Sequence, residues 1–218
     1  MPVDRSGVIL LGGGGHAAVV AESAISCGLA LAGFFDDDTK LSSGSRLSDL
    51  YNCPYLGAIS DAAELLKQQP SLKVHAAVGC NRLRAAWLTA FDDASRWQRV
   101  VDRSALVSGS AAIGQGTCVL PRAVVNAGAR VGNGCIINTA AVIEHDCNIG
   151  HSSHIAPGAI IGGGVHIGSH TLIGLGAVVL PEIRIGETAV VGAGAIVIRD
   201  VESGATVVGN PSVRLKHG

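Results

Sequence analysis

Residues 149–179 read IGHSSHIAPGAIIGGGVHIGSHTLIGLGAVV, and every sixth position is a β-branched aliphatic residue: Ile149, Ile155, Ile161, Ile167, Ile173 and Val179. The register extends both ways without a break, through seventeen positions from Val101 to Val197. Neither a helix of period 3.6 nor a strand of period 2 generates this signal. Four residues after each anchor the side chain is mostly small, as at Ala105, Thr117, Ala129, Cys135, Ala141 and Ser153. The large exceptions, Val165, Ile183 and Val201, lie eighteen residues apart, so three hexapeptides make one structural unit. A short-repeat solenoid has this property, because each flat face contributes one inward aliphatic residue and stacked coils bury a continuous column.

The residue after each anchor is often glycine (Gly114, Gly132, Gly150, Gly162, Gly168) or asparagine (Asn126, Asn138). Those types tolerate the unusual backbone angles of a corner, so corners are expected there. The pattern resembles the hexapeptide signature of the left-handed parallel β-helix, a triangular prism with three faces per coil. Such prisms serve acyltransferases, γ-class carbonic anhydrases and a few non-catalytic proteins.

Composition divides the 218 residues in two. All seven aromatic residues, from Phe34 to Trp97, precede residue 98, and the narrow aliphatic core of a prism has no room for such rings. Two domains are expected, residues 1–98 and 99–218. The net charge of −1 and the lack of a basic stripe argue against nucleic acid or an anionic membrane as partner. No leader pattern or membrane-spanning run is visible, so a cytoplasmic location without membrane insertion is expected. The six cysteines show no CxxC or zinc-finger spacing and are read as buried, reduced thiols.

Val8–Leu11 reads as a buried strand running into Gly12-Gly13-Gly14-Gly15-His16. A helical pattern follows from about Ala17 to Cys27, with Val19, Val20, Ser23, Ala24 and Cys27 on one side. A second strand, Leu31 to Phe35, ends in Asp36-Asp37-Asp38. This is a Rossmann-like α/β unit: its glycines let backbone approach a diphosphate, and the helix N-terminus supplies free N–H groups. A short strand near Tyr55-Leu56, a helix over 61–68, a strand over 74–78 and a helix from Gly79 through about Phe91 complete the domain. Arg82 and Arg84 on that last helix either approach phosphates or are ordinary exposed helix arginines. About a hundred residues supply one mononucleotide-binding half, which suits a nucleoside diphosphate better than NAD.

In the prism, His145 and Asp146 occupy the third and fourth positions of a hexapeptide, toward a corner, where both side chains can be exposed. The equivalent of His145 one coil on, about 4.8 Å along the axis, is Gly163. A carboxylate beside an imidazole orients the ring and stabilises its cation, and a bare backbone N–H beneath it suits a developing oxyanion.

The segment "NTAAVIEHDC" (138–147), with "GGGHA" (13–17) and the closing Gly209-Asn210-Pro211, resembles the bacterial acetyltransferases that N-acetylate nucleotide-linked amino sugars. These include the UDP-4-amino-sugar (bacillosamine pathway) and GDP-perosamine N-acetyltransferases, with sialic acid O-acetyltransferases as relatives. The resemblance implies His145 as general base and Asp146 as its modulator. It implies that His154 and the Gly163 amide meet acetyl-CoA, and that Gly14, Gly15 and His16 hold the diphosphate. Asp36 and Asp37 would hold the nucleoside, with Gly57 at the pocket edge; the third aspartate, Asp38, leaves the contacting pair open. It further implies direct transfer without a covalent acyl-enzyme, no metal, and a homotrimer with coenzyme A between neighbouring prisms.

The rivals are a zinc enzyme of the γ-carbonic anhydrase type, using pairs such as His151 and His154 or His166 and His170, and a non-catalytic nucleotide-sugar sensor. Within the enzyme class, acetylation of a sugar hydroxyl is the alternative.

Overall fold

The computed structural model describes residues 7–91 and 93–215. Strands β1 (Val8–Leu11), β2 (Leu31–Phe35), β3 (Tyr55–Gly57) and β4 (Lys73–Ala76) form one parallel sheet in the order β3-β2-β1-β4. All of β1 is apolar and buried, as a central parallel strand covered on both faces must be. The helices are α1 (Gly15–Ser26), α2 (Arg46–Tyr51), α3 (Ala62–Gln68) and α4 (Asn81–Ala90).

Helix α1 starts two residues earlier than its apolar pattern suggests, and its buried face differs from the expected one. Ala17, Val20, Ala21 and Ala24 are buried, whereas Val19 and Cys27 face outward. Alanines let the helix sit close to both the sheet and the prism, so small residues rather than the bulkiest ones mark the inner face. Helix α2 has no counterpart in the sequence pattern. Its Ser45 cap accepts the Ser48 N–H and Leu47 alone is buried, too little to create a periodic signal.

From Val100 onward the chain is a left-handed β-helix of three parallel faces. Face A runs from Ala112–Ile113 to Arg184–Ile185, face B from Val100–Val101 to Thr206–Val208, and face C from Leu106–Val107 to Ile196–Val197. Each strand pairs with its equivalent one coil on, as Ile137 with Ile155 and Ile143 with Ile161. The anchors and small residues form the inner column, and Val165, Ile183 and Val201 widen one edge of it.

The corners correct one expectation. The glycines after the anchors do not take positive φ; that conformation falls two residues later, at Gly116, Arg122, Gly128, Ala140, Asp146 and their equivalents. The glycine after the anchor serves close stacking instead: a Cβ on Gly168 would lie 2.4 Å from the Glu187 nitrogen, and one on Gly150 2.4 Å from the Ser169 nitrogen. Spacing between coils is too tight there for a side chain.

The sheet domain docks on the first half of face B. Outward-facing Val100, Cys118 and Ile136 join Val8, Val20 and Phe34 in one buried cluster. Ser26 Oγ donates to Asp102 (3.0 Å), His75 Nδ1 meets the Gln98 carbonyl (2.9 Å), and Asn81 Nδ2 donates to the carbonyls of His170 and Thr171. Arg84 lies at the centre of this joint and is 1 % exposed, so it is neither a surface arginine nor a direct cavity contact. Of the cysteines, Cys53, Cys118, Cys135 and Cys147 are buried as expected, while Cys27 and Cys80 are exposed.

Candidate active site

The turn after strand Val142–Ile143 carries His145 and Asp146 on the edge between faces C and A. Asp146 takes a left-handed conformation, φ 58°, which turns its carboxylate back toward the preceding ring. Its Oδ2 lies 2.9 Å from His145 Nδ1, and both side chains are open to solvent, 63 % and 73 % exposed. A carboxylate only accepts, so Nδ1 carries the proton and Nε2 offers its lone pair. The hydrogen bond that Nδ1–H donates to Asp146 raises the pKa of His145 against a smaller desolvation, with the charges of Asp146 and Glu144 adding to the rise. Glu144 is itself held by Asn126 Nδ2 at 3.0 Å.

Gly163 lies directly beneath the ring. A Cβ there would stand 2.6 Å from His145 Nε2, so only glycine admits the imidazole in this position. Among the described residues no acceptor takes the Gly163 N–H, while its neighbours do bond: Gly162 N–H to Val179 and Gly164 N–H to His145. A basic nitrogen and a free amide therefore share one small area of surface.

The glycine turn builds a second site, a cavity of about 460 Å³ lined by Gly12, Gly14, Gly15, His16, Asp36 and Asp37. Gly12 (φ 105°) and Gly13 are glycines for packing reasons, since a Cβ on them would press on the Ala77 carbonyl or the Phe34 ring. A Cβ on Gly14 or Gly15 would meet nothing within 4 Å. Their bareness serves the open cavity, at the uncapped N-terminus of α1. Asp36 spans the turn by accepting the Gly13 N–H (2.6 Å), and Asp37 accepts the Ile59 N–H (3.0 Å). Asp38 caps the turn after β2 through Lys40 N–H and is not part of the cavity lining. Gly57 also stands back from the cavity, and its carbonyl accepts the Asp36 N–H (3.1 Å). Ala77, Val78 and Gly79, just after β4, and Ile59, Leu83 and Trp87 complete the lining and were missed in the sequence, although Leu83 and Trp87 share a helix face by their four-residue spacing.

His16 Nε2 is buried and has no hydrogen-bond partner among the described residues. Burial first, then His75, His154 and Arg84, push its pKa down to about 3. His154 is on face B, at the start of strand His154–Ile155, where Asn138 Nδ2 approaches its Nε2 (3.0 Å) and burial pushes it down to about 4. It lines a broad apolar groove of about 860 Å³ between α4 and face B, together with Cys80, Arg82, Ala156, Leu172 and Val190. Within one chain His145 and Gly163 come together, and His16 lies near His154, but the two groups are on different sides of the prism. No group of three or more His, Cys, Asp or Glu among the described residues could hold a metal ion.

Fold and site define a hexapeptide-repeat acyltransferase with an α/β domain in front. Residues 7–91 match the PglD N-terminal domain family. The whole chain is similar to PerB of Caulobacter crescentus, solved with CoA and GDP-perosamine: 33% identity over 99% of this chain and 100% of that one, TM-score 0.90. It is also similar to the acetyltransferase domain of PglB from Neisseria gonorrhoeae FA1090 (34% identity, 97% and 100% covered, TM-score 0.86). WeeI from Acinetobacter baumannii AYE matches at 25% identity, 96% and 100% covered, with TM-score 0.80. No curated protein sequence matches the chain. The chain belongs to the nucleotide-sugar N-acetyltransferases of the hexapeptide-repeat superfamily.

Proposed function

We propose that this enzyme transfers the acetyl group of acetyl-CoA to the amine of a nucleotide-linked 4-amino sugar, with His145 as general base. The observation that carries this reading is His145, oriented by Asp146, above the free Gly163 amide. His145 Nε2 takes a proton from the sugar amine as its nitrogen attacks the thioester carbon. The carbonyl oxygen becomes an oxyanion facing the Gly163 N–H. Collapse breaks the C–S bond, and the proton on Nε2 passes to the departing thiolate. Asp146 stabilises the transient imidazolium throughout. Gly14, Gly15 and His16 receive the diphosphate at the helix N-terminus, and Asp36 and Asp37 receive the nucleoside.

The same reading calls for a homotrimer. The outward residues of face C are aliphatic along its length (Leu106, Val124, Val142, Ile160, Val178, Ile196), and Leu106 is 67% exposed. Face B beyond the docked domain presents Leu172 and Val190, whereas face A presents Arg130, Asn148, His166 and Arg184. Two apolar faces and one polar face fit a threefold arrangement in which each face C packs toward the next prism's face B. That packing carries His145 and Gly163 of one chain toward the His154 groove and nucleotide cavity of its neighbour. Coenzyme A would then lie between prisms. The exposed thiols of Cys27 and Cys80 suit a reducing compartment, the cytoplasm, and no described helix is long and apolar enough to cross a membrane.

The test offers UDP-, GDP- and dTDP-linked 4-amino sugars with acetyl-CoA and reads the product mass together with thiol release. An amide product with one nucleotide sugar supports the reading. An alkali-labile ester would assign the enzyme to O-acetylation, and no transfer to any of them would reject it.

A further inference from the structure

Arg84 is a buried cation without a counter-ion. Its Nε donates to the Gly134 carbonyl (2.6 Å), Nη1 to Val78 (3.0 Å), and Nη2 to Asn81 Oδ1 (2.7 Å) and the Ser152 carbonyl (2.9 Å). Every one of these acceptors is neutral. Among the described residues no carboxylate forms an ion pair with it. The titratable groups around it do not help. Cys118 and Cys135 are pushed up to about 12 and about 11 by burial, so both remain thiols at neutral pH. His16 and His154 stay uncharged. Neutral carbonyls offset the desolvation of the guanidinium only in part, so an anion brought near it is attracted strongly.

The position of the fork shows where such an anion would lie. Val78 and Gly79, whose carbonyls face Nη1, are wall residues of the 460 Å³ cavity that also holds Gly14, Gly15 and His16. The guanidinium thus stands one peptide layer behind the cavity. Its other donors grip the prism at Gly134, Ser152 and Ser153, the residue before His154.

We propose that the counter-ion of Arg84 is the diphosphate of the nucleotide sugar, acting through this cavity wall, so that Arg84 is a positioning residue coupling cavity occupancy to the joint between the two domains. The proposal rests on the placement of the nucleotide sugar in this cavity. Coulomb attraction across a low-dielectric wall needs no direct contact. It acts on a ligand's charge and not on its base or ribose, which separates it from a purely structural role.

Calorimetric titration of the intact protein with UDP, GDP and dTDP, and with the matching nucleosides, tests this in wild type, Arg84→Lys and Arg84→Met. Arg84→Met should weaken the preferred diphosphate about tenfold or more, while the nucleoside and coenzyme A change by less than about twofold. Arg84→Lys, which keeps the charge, should recover most of the diphosphate affinity. Equal loss for diphosphate and nucleoside would reduce Arg84 to a structural part and overturn the proposal. Hydrogen exchange on the wild type decides the matter even if Arg84→Met fails to fold. The diphosphate, and not the nucleoside, should slow exchange over 78–84, 134–135 and 152–154; equal protection by both overturns the coupling. A wild-type protein that binds none of the three diphosphates but still binds coenzyme A would instead remove the nucleotide site itself, and the proposal with it.

Discussion

At the scale of the residue, His145 owes its chemistry to its neighbours on one turn. The side chain is open to solvent, and its hydrogen bond to the Asp146 carboxylate outweighs the opposing desolvation and raises its basicity. His145→Ala should lower kcat on the order of 10²–10⁴-fold while both substrates still bind; near-wild-type turnover by a folded variant would remove it from the mechanism. The pH profile gives a finer test. A raised pKa keeps Nε2 protonated to higher pH, so the acid limb of kcat/KM should lie above the ordinary 6.5 of histidine. Asp146→Asn should move that limb to lower pH and slow the plateau rate; an unmoved limb would show that the carboxylate does not tune the base. Gly163→Ala places a methyl 2.6 Å from Nε2 and must displace the ring. It should lower kcat without unfolding the prism, which circular dichroism alongside the assay would establish.

At the scale of the element, the hexapeptide corner divides its demands between two positions. The residue after the anchor must be small because the next coil passes over it. The residue two further on must accept positive φ. Gly168 represents the first demand and Ala140 (φ 56°) the second. Gly168→Ala should destabilise the prism by about 1–3 kcal/mol through overpacking. Ala140→Gly should stabilise it by up to about 1 kcal/mol by relieving the left-handed strain of a Cβ. Denaturant midpoints of the two variants check both signs, and a stable Gly168→Ala would mean that the coils can part at little cost. The sequence showed glycine and asparagine at the first position but not which of the two demands they met. Arg122, His170 and Glu182 take positive φ with large side chains, so residue type does not mark that position, and only coordinates separate a torsion from a contact.

At the scale of the whole molecule, the joint between the domains makes stability depend on pH. His75, 1 % exposed, is pushed down to about 4 by burial, as is His154, and His16 to about 3. Below 6.5 the unfolded chain protonates these rings and the folded chain does not, so it is the unfolded state that binds more protons. Stability should therefore fall as pH drops through 6.5 and keep falling to about 4. Thermal unfolding measured between those values tests the slope, and His75→Gln, which can still donate to the Gln98 carbonyl, should flatten it. The proposed homotrimer makes a separate prediction. Neither His145→Ala nor His154→Ala homotrimers should be active, yet co-refolded mixtures should recover part of the activity, because some clefts combine an intact His145 wall with an intact His154 wall. A fully active monomer in sedimentation would reject the shared cleft.

What the sequence by itself determined is what repeats or lies close along the chain. An inward aliphatic residue every six positions defines a prism, because only stacked coils bury such a column. The His145–Asp146 pair is adjacent in sequence, and Gly163 lies one coil on in a fixed register, so the proximity of these three residues was legible before any coordinates. What only the tertiary structure decided depends on how separate parts meet. Arg84 reads as a helix arginine and becomes the buried centre of the domain joint, because two of its hydrogen bonds go to prism carbonyls fifty or more residues away, at Gly134 and Ser152. Asp38 parts from Asp36 and Asp37 because a turn cap claims it. His154, nine residues from His145, faces another side because half a coil carries the chain around the prism.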